Sequence, residues 1–311
     1  MENIPPLSTA PYRGRFAPSP SGPLHLGSMF TALASYLEAR SRGGEWWVRI
    51  DDIDPHRTQA GAADRILFSL ESLGLTWDGT VVYQSHRSDR YRAGLDVLKA
   101  QGLIYACDCS RRELLEEATG LPNGSYPGFC RHKHLPQEGE NLALRVHVDE
   151  TLVSFEDRVQ GPVTQDLGHE VGDFIVYRRD GAFAYHLATV MDDADQGITE
   201  VLRGQDLLES TPRQIFLQQR LNLPTPAYAH IPILLNPDGQ KLSKRTLAPE
   251  AETRHPGSLL GYLLGLLQHP LPPELVFAPV TDILAWARDH WQLSRLRGLG
   301  PASVTPPAFT A

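Results

Sequence analysis

Through residue 101, short β-like runs at 14–17, 46–50 and 81–83 alternate with stretches whose apolar residues recur every three or four positions, at 28–40, 60–73 and 89–101. Parallel strands cannot be joined by a tight turn and need a crossover, usually a helix, so this alternation predicts a doubly wound, Rossmann-like α/β sheet. The second helical stretch shows the period most plainly, in Ile66, Leu67, Leu70 and Leu73. From 103 to 135 the pattern gives way to Gly, Pro, Cys and His, and β-like alternation resumes at 142–148. This marks an insertion over 103–172 between a first half, 1–102, and a second half, 173–248. In the second half, strands are predicted at 174–177 and 198–202, and a helix at 211–220 with Thr211 as N-cap and Pro212 at its first position. Helical signals alone follow, at 255–268 and 281–288, within a C-terminal region of 249–298, and 299–311 is expected to be a disordered tail.

The chain has 311 residues, 41% of them hydrophobic, enough for a sizeable core. No run approaches the roughly 18 apolar residues of a membrane span, and the Pro-rich start lacks a signal-peptide core, so a cytoplasmic protein without membrane contact is expected. A net charge of −8 means that any nucleic-acid contact must come from local patches such as Arg111 and Arg112, or residues 131–134. The three cysteines, Cys107, Cys109 and Cys130, fall within a 24-residue window. In a cytoplasmic chain that clustering favours metal over disulfides, although spacing alone leaves reduced loop cysteines as an equal reading. Structural zinc takes four ligands, and on chemistry alone His132 or His134 is the preferred fourth.

Two segments carry chemistry. Residues 15–28, Arg-Phe-Ala-Pro-Ser-Pro-Ser-Gly-Pro-Leu-His-Leu-Gly-Ser, follow a strand and precede a helix. Three prolines and two glycines hold the turn close to a ligand, and His25 falls at a helix N-terminus, where free N–H groups favour an anion. Residues 241–245, Lys-Leu-Ser-Lys-Arg, follow the turn Asn236-Pro237-Asp238-Gly239 and put three cations and a hydroxyl on one loop, suited to neutralising a reacting phosphate. Taken singly, these are a Pro-rich turn and a solvated basic loop.

Together they resemble the two signatures of class I aminoacyl-tRNA synthetases, the His-x-Gly-His element at His25 to Ser28 and the Lys-Met-Ser-Lys-Ser element at Lys241 to Arg245. The lead-in from Arg15 to Gly22 narrows the resemblance to the glutamyl/glutaminyl branch. Further matches are Val48 to Asp54, Ala184 to Ala188 and Leu202 to Leu207, so the likeness runs in order from about residue 13 to 248. The chain ends about where a glutamyl-tRNA synthetase would begin its helical anticodon-binding region. That feature, and Ser28 in place of a second His, resemble the glutamyl-queuosine tRNA(Asp) synthetases. Neither the Gly-x-x-x-x-Gly-Lys-Ser/Thr loop nor Gly-x-Gly-x-x-Gly is found.

The resemblance implies a ligase that activates L-glutamate with ATP and Mg²⁺, without tRNA, and transfers it to the cyclopentenediol of queuosine in the anticodon of tRNA(Asp). It assigns Arg15, Ala17, Ser19, Asp51, Tyr185 and Arg203 to glutamate, and His25, Gly27, Ser28, Lys241, Ser243 and Lys244 to the nucleotide. His25 and Lys244 stabilise the transition state, no protein nucleophile is needed, and a monomer is expected. Asp51 departs from the Arg-Ile-Glu-Asp pattern by one methylene, which shortens its reach to the substrate ammonium. The resemblance also makes Cys107, Cys109, Tyr126 and Cys130 the ligands of one structural zinc, with Tyr126 four residues before the last cysteine. The alternatives are a truncated glutamyl-tRNA synthetase charging a tRNA 3′ end and a non-catalytic amino-acid- or tRNA-binding paralogue. Trp46 and Trp47 are assigned to the core, and His186 to packing.

Overall fold

The computed structural model describes residues 11–110, 112–114, 125–126, 128–139, 141–239 and 255–304. Its first half runs β1 (Arg13–Phe16), α1 (Leu26–Ser41), β2 (Glu45–Ile50), α2 (Ala62–Ser72), β3 (Val82–Tyr83) and α3 (Ser88–Ala100). The β-branched and aromatic runs form the strands, and the helices bury one apolar stripe each, such as Ile66 and Leu70 on α2. β1 pairs with β2 and β2 with β3, both parallel, with Gly14 opposite Trp46 and Arg49 opposite Val82.

Next come β4 (Ile104–Cys107), β5 (Ala143–Val146), β6 (Leu152–Asp157), β7 (Gly161–Asp166), α4 (Leu167–Glu170) and β8 (Phe174–Tyr177). The chain continues through α5 (Tyr185–Asp195), β9 (Glu200–Gly204), α6 (Thr211–Arg220), β10 (Ala227–Ile231) and β11 (Leu234–Leu235), then α7 (Pro256–Leu266), α8 (Val280–His290) and β12 (Ala302–Ser303). β9 and β10 are parallel, β6 joins β10, and β7 closes that sheet as an antiparallel edge. β4, β5 and β8 form a separate antiparallel sheet, so β8 continues the sheet of the inserted segment. Arg13 and Thr199 exchange hydrogen bonds of 2.9 and 3.0 Å, which sets β1 beside β9. The parallel surface thus runs in both directions from β1, and ligands of such sheets lie outside the strand C-termini at that reversal.

Two apolar cores flank the surface. One combines α1, α2, β1 and β2 with α7 and α8; the other combines α3, α5 and α6 with β4, β5 and β8. No helix among the described residues is long and apolar enough to cross a membrane.

Several expectations need correction. α6 begins at Thr211 with Ser210 before it and no side-chain cap, because the Thr211 hydroxyl turns inward to Arg203 and His230. The tail expected from 299 contains β12, which pairs with β11, and buried Val304; residues 305–311 lie outside the described residues. Trp46 is fully buried, but Trp47 is only half-buried and lies under the Arg13 guanidinium at 5.0 Å, because alternation along β2 turns it to the other face. Among residues 131–134, Arg131 is paired with Asp173 and Lys133 with Asp108, and Arg111 lies outside the described residues.

Candidate active site

The C-terminal ends of β1, β2 and β9 open into a cleft of about 540 Å³. Arg15, Ala17 and Ser19 reach it from β1 and the following loop, and His25, Gly27 and Ser28 from the start of α1. Asp51 enters just after β2, Tyr185 at the first position of α5, and Arg203 from β9. Residues separated by nearly two hundred positions in the chain therefore share one wall. Lys241, Ser243 and Lys244 lie outside the described residues.

His25 is the N-cap of α1. Its Nδ1 accepts the Ser28 backbone N–H at 3.2 Å, and its Nε2 lies 3.0 Å from Ser28 Oγ. With Nδ1 accepting, the ring proton sits on Nε2, so the edge beside Ser28 is a donor. A Cβ at Gly27 would stand 3.2 Å from the imidazole, so glycine leaves this ring its room. The helix N-terminus and the imidazole donor together suit a phosphate oxygen.

Beneath the cleft floor lies a buried ion network. Arg15 donates from Nε and Nη2 to the two Asp193 oxygens at 3.2 and 3.3 Å. Arg49, fully buried, donates to Asp51 at 2.7 Å and to Asp193 at 2.7 Å. Burial alone pushes the Asp193 carboxyl up, but Arg15 and Arg49 outweigh it and hold it below the usual carboxylate range. At Asp51 burial wins over Arg49, and its carboxyl is pushed up to about 6. Asp192 is held by Gln84, Arg87 and Tyr91, which ties α5 to α3. Arg49, Asp192 and Asp193 were not predicted as site residues. Asp192 and Asp193 sit in an acidic run that looks like a solvated helix end, whereas Arg49 could have been found from its place two residues before Asp51, on the same face of β2.

Arg203 is buried and donates from Nη1 to the Tyr185 hydroxyl at 3.4 Å, so a planar cation and a phenol stand side by side in the wall. A guanidinium fork matches a carboxylate. His186 does not line this cleft. It lines a second cavity of about 330 Å³, where burial, with Arg213 and Arg203 nearby, brings its imidazole down to about 3 and keeps it neutral.

Cys107, Cys109 and Cys130 have their sulfur atoms within 4.8 Å of one another, and neither His132 nor His134 joins the group. The cluster could hold a metal ion, since four ligands around zinc at about 2.3 Å leave sulfurs under 4 Å apart. The Tyr126 hydroxyl lies 3.5 Å from Cys107 Sγ and 3.6 Å from Cys109 Sγ. Burial pushes the Cys107 thiol up, but hydrogen bonds from Tyr126 and Arg145 and the arginine charge outweigh it, bringing it down to about 7.

Comparison with known proteins places the chain in a family. Residues 12–255 match the family model described as tRNA synthetases class I (E and Q), catalytic domain. The Glutamyl-Q tRNA(Asp) synthetase of Methylococcus capsulatus is 51% identical over 289 residues, 93% of this chain and 94% of that protein. The protein of the same name from Thiobacillus denitrificans is 50% identical over 91% of this chain and 94% of its own length. Among solved structures, a glutamate tRNA ligase from Elizabethkingia meningosepticum, in complex with its amino acid, superposes with a TM-score of 0.78 at 24% identity. That likeness, covering 95% of this chain and 68% of the other, shows a shared fold. The chain belongs to the class I (E and Q) tRNA synthetase family and, within it, to the glutamyl-Q tRNA(Asp) synthetases.

Proposed function

We propose that the chain activates L-glutamate with ATP, without tRNA, and transfers it to a hydroxyl of the cyclopentenediol of queuosine in the anticodon of tRNA(Asp). The observation that carries this reading is the half-identity over nine-tenths of the chain to proteins named for that acceptor. In the first step a glutamate α-carboxylate oxygen bonds to the α-phosphorus and the bond to the β-phosphate oxygen breaks, releasing pyrophosphate. In the second, a hydroxyl of the acceptor bonds to the carbonyl carbon of the mixed anhydride, the bond from that carbon to the bridging oxygen breaks, and AMP leaves with that oxygen while its phosphate takes up the hydroxyl proton.

In this reading Asp51 takes the substrate ammonium, while Arg203 and Tyr185 take the side-chain carboxylate. Arg15, Ala17 and Ser19 complete the amino-acid pocket. His25 donates from Nε2 to a phosphate oxygen, with Gly27 and Ser28 leaving room for the nucleotide. Lys241, Ser243 and Lys244 complete the neutralisation, and Mg²⁺ bound with the nucleotide would add positive charge at the reacting phosphates. Cys107, Cys109, Cys130 and Tyr126 would hold a structural zinc, which would order the insertion and take no part in the chemistry. The enzyme works as a cytoplasmic monomer.

Glutamate-dependent exchange of pyrophosphate into ATP without tRNA is expected, followed by transfer of labelled glutamate to tRNA(Asp) only when queuosine is present. Absence of exchange would favour a binding paralogue. Transfer to a tRNA 3′ end, or equal transfer to tRNA lacking queuosine, would favour a truncated glutamyl-tRNA synthetase.

A further inference from the structure

Behind Arg203, on the side away from the cleft, stands a buried group with no role in the chemistry above. Asp157 closes β6, His230 lies on β10, and Thr211 opens α6. Asp157 Oδ1 accepts the backbone N–H groups of Val159 at 3.0 Å, Gln160 at 2.9 Å and His230 at 3.1 Å. Asp157 Oδ2 lies 2.6 Å from His230 Nδ1. Burial pushes this carboxyl up, but His230 and the backbone donors outweigh it, so it stays ionised. An ionised carboxylate can only accept, so His230 carries its proton on Nδ1 and presents the Nε2 lone pair.

Arg203 Nε donates to that lone pair at 2.9 Å. Its Nη2 donates to Thr211 Oγ1 at 2.8 Å and to the Leu207 carbonyl at 3.3 Å, and the guanidinium carbon stands 5.5 Å over the Tyr228 ring. One edge of the fork is thus filled by the chain itself, which leaves Nη1, beside Tyr185, for the cleft. A long side chain with four rotatable bonds otherwise loses much of its binding advantage to conformational freedom.

We propose that Asp157 and His230 are positioning residues: they fix the tautomer and acceptor that hold Arg203 in the orientation that receives the side-chain carboxylate of the amino acid. This rests on the glutamate-activation reading above. The competing account is that the three residues only knit β6 to β10.

The test is pyrophosphate exchange with the full chain, using L-glutamate and L-glutamine in parallel. His230→Asn keeps a donor toward Asp157 but cannot reach Arg203. It is expected to raise KM for L-glutamate at least about tenfold, leave KM for ATP within about twofold, and cut the preference for glutamate over glutamine by about tenfold. Asp157→Asn moves in the same direction, because an amide donor facing Nδ1 drives the proton to Nε2, against the Arg203 N–H. His230→Gln restores an acceptor near Nε2 and is expected to recover most of the glutamate KM.

Losses shared equally by ATP and both amino acids, with the preference for glutamate intact, overturn the positioning role. So does an unchanged preference in His230→Asn. Should the buried polar variants fail to fold, Thr211→Val removes only the hydroxyl that accepts from Nη2, at nearly constant volume. A rise of about threefold in glutamate KM is expected there, and no change overturns the proposal. Absence of exchange in the unaltered chain sinks the activation reading itself, a result distinct from exchange that is indifferent to His230.

Discussion

Asp51 is where a one-methylene departure from the family pattern meets the electrostatics of the cleft. Its carboxyl is raised from 3.8 to about 6, first by burial and then by Asp192, against the pull of Arg49 and Arg15. Only the ionised form attracts a substrate ammonium. With the ammonium on Asp51, affinity for the amino acid is expected to be full about one unit above pH 6, half at about pH 6, and to weaken by up to about tenfold per unit below it. The contribution to folding has the opposite sign: a carboxyl raised on folding costs stability as pH climbs through its folded value. KM for glutamate in pyrophosphate exchange, followed from about pH 5 to 8, is expected to rise on the acid side, and Asp51→Asn to flatten that limb. A flat profile in the unaltered chain would contradict the assignment of the ammonium to Asp51. Residues 15–28, which the structure brings to the cleft, were legible in the sequence because their chemistry and their turn are written side by side. Asp157 and His230 were not, because only the pairing of β6 with β10 brings them together, across 73 positions.

At the level of elements, the N-terminus of α1 and the basic segment 241–245 are expected to act on the same phosphates from opposite ends of the sequence. Lys244→Ala is expected to lower adenylate formation by about a hundredfold or more, with the melting temperature unchanged, because a lysine that acts on a phosphate adds little to a core. A large loss of thermal stability in that variant would contradict the role. The cysteine cluster makes the reverse prediction. Cys130→Ser, or exposure to a chelator, is expected to remove one equivalent of zinc and to destabilise the segment around β4, with exchange retained in the metal-depleted protein. Tyr126→Phe separates the fourth-ligand readings: metal stoichiometry or affinity should fall in Tyr126→Phe and hold in His132→Ala. Among the elements that escaped sequence reasoning, two lack an apolar period for a visible reason. β7 is a half-exposed edge strand, and α5 buries Asp192 and Asp193 along with Leu187 and Met191, so neither shows the plain apolar period of α2.

The parallel surface and the C-terminal helices share one apolar core, which the sequence did not reveal because its contacts run across the whole chain. Glu38 on α1 is buried at their junction. One of its oxygens pairs with Arg42 at 2.9 Å and Arg158 at 2.7 Å, and the other accepts the Trp291 indole N–H at 2.6 Å. A buried carboxylate with this many donors is costly to strip of any partner. Around it, Leu259, Leu260, Leu263 and Leu264 of α7 share a core with Leu33 and Leu37 of α1, the helix whose other end carries His25. Leu263 is fully buried, so Leu263→Ala leaves a cavity and is expected to cost about 2–5 kcal/mol in denaturant unfolding. Because that core also supports α1, the C-terminal helices are expected to melt together with the parallel surface, with exchange activity lost at the same denaturant concentration as their helical signal. An early separate transition, in which α7 and α8 melt while exchange persists, would instead make the C-terminal helices an appendage and leave the geometry at His25 to the parallel surface alone.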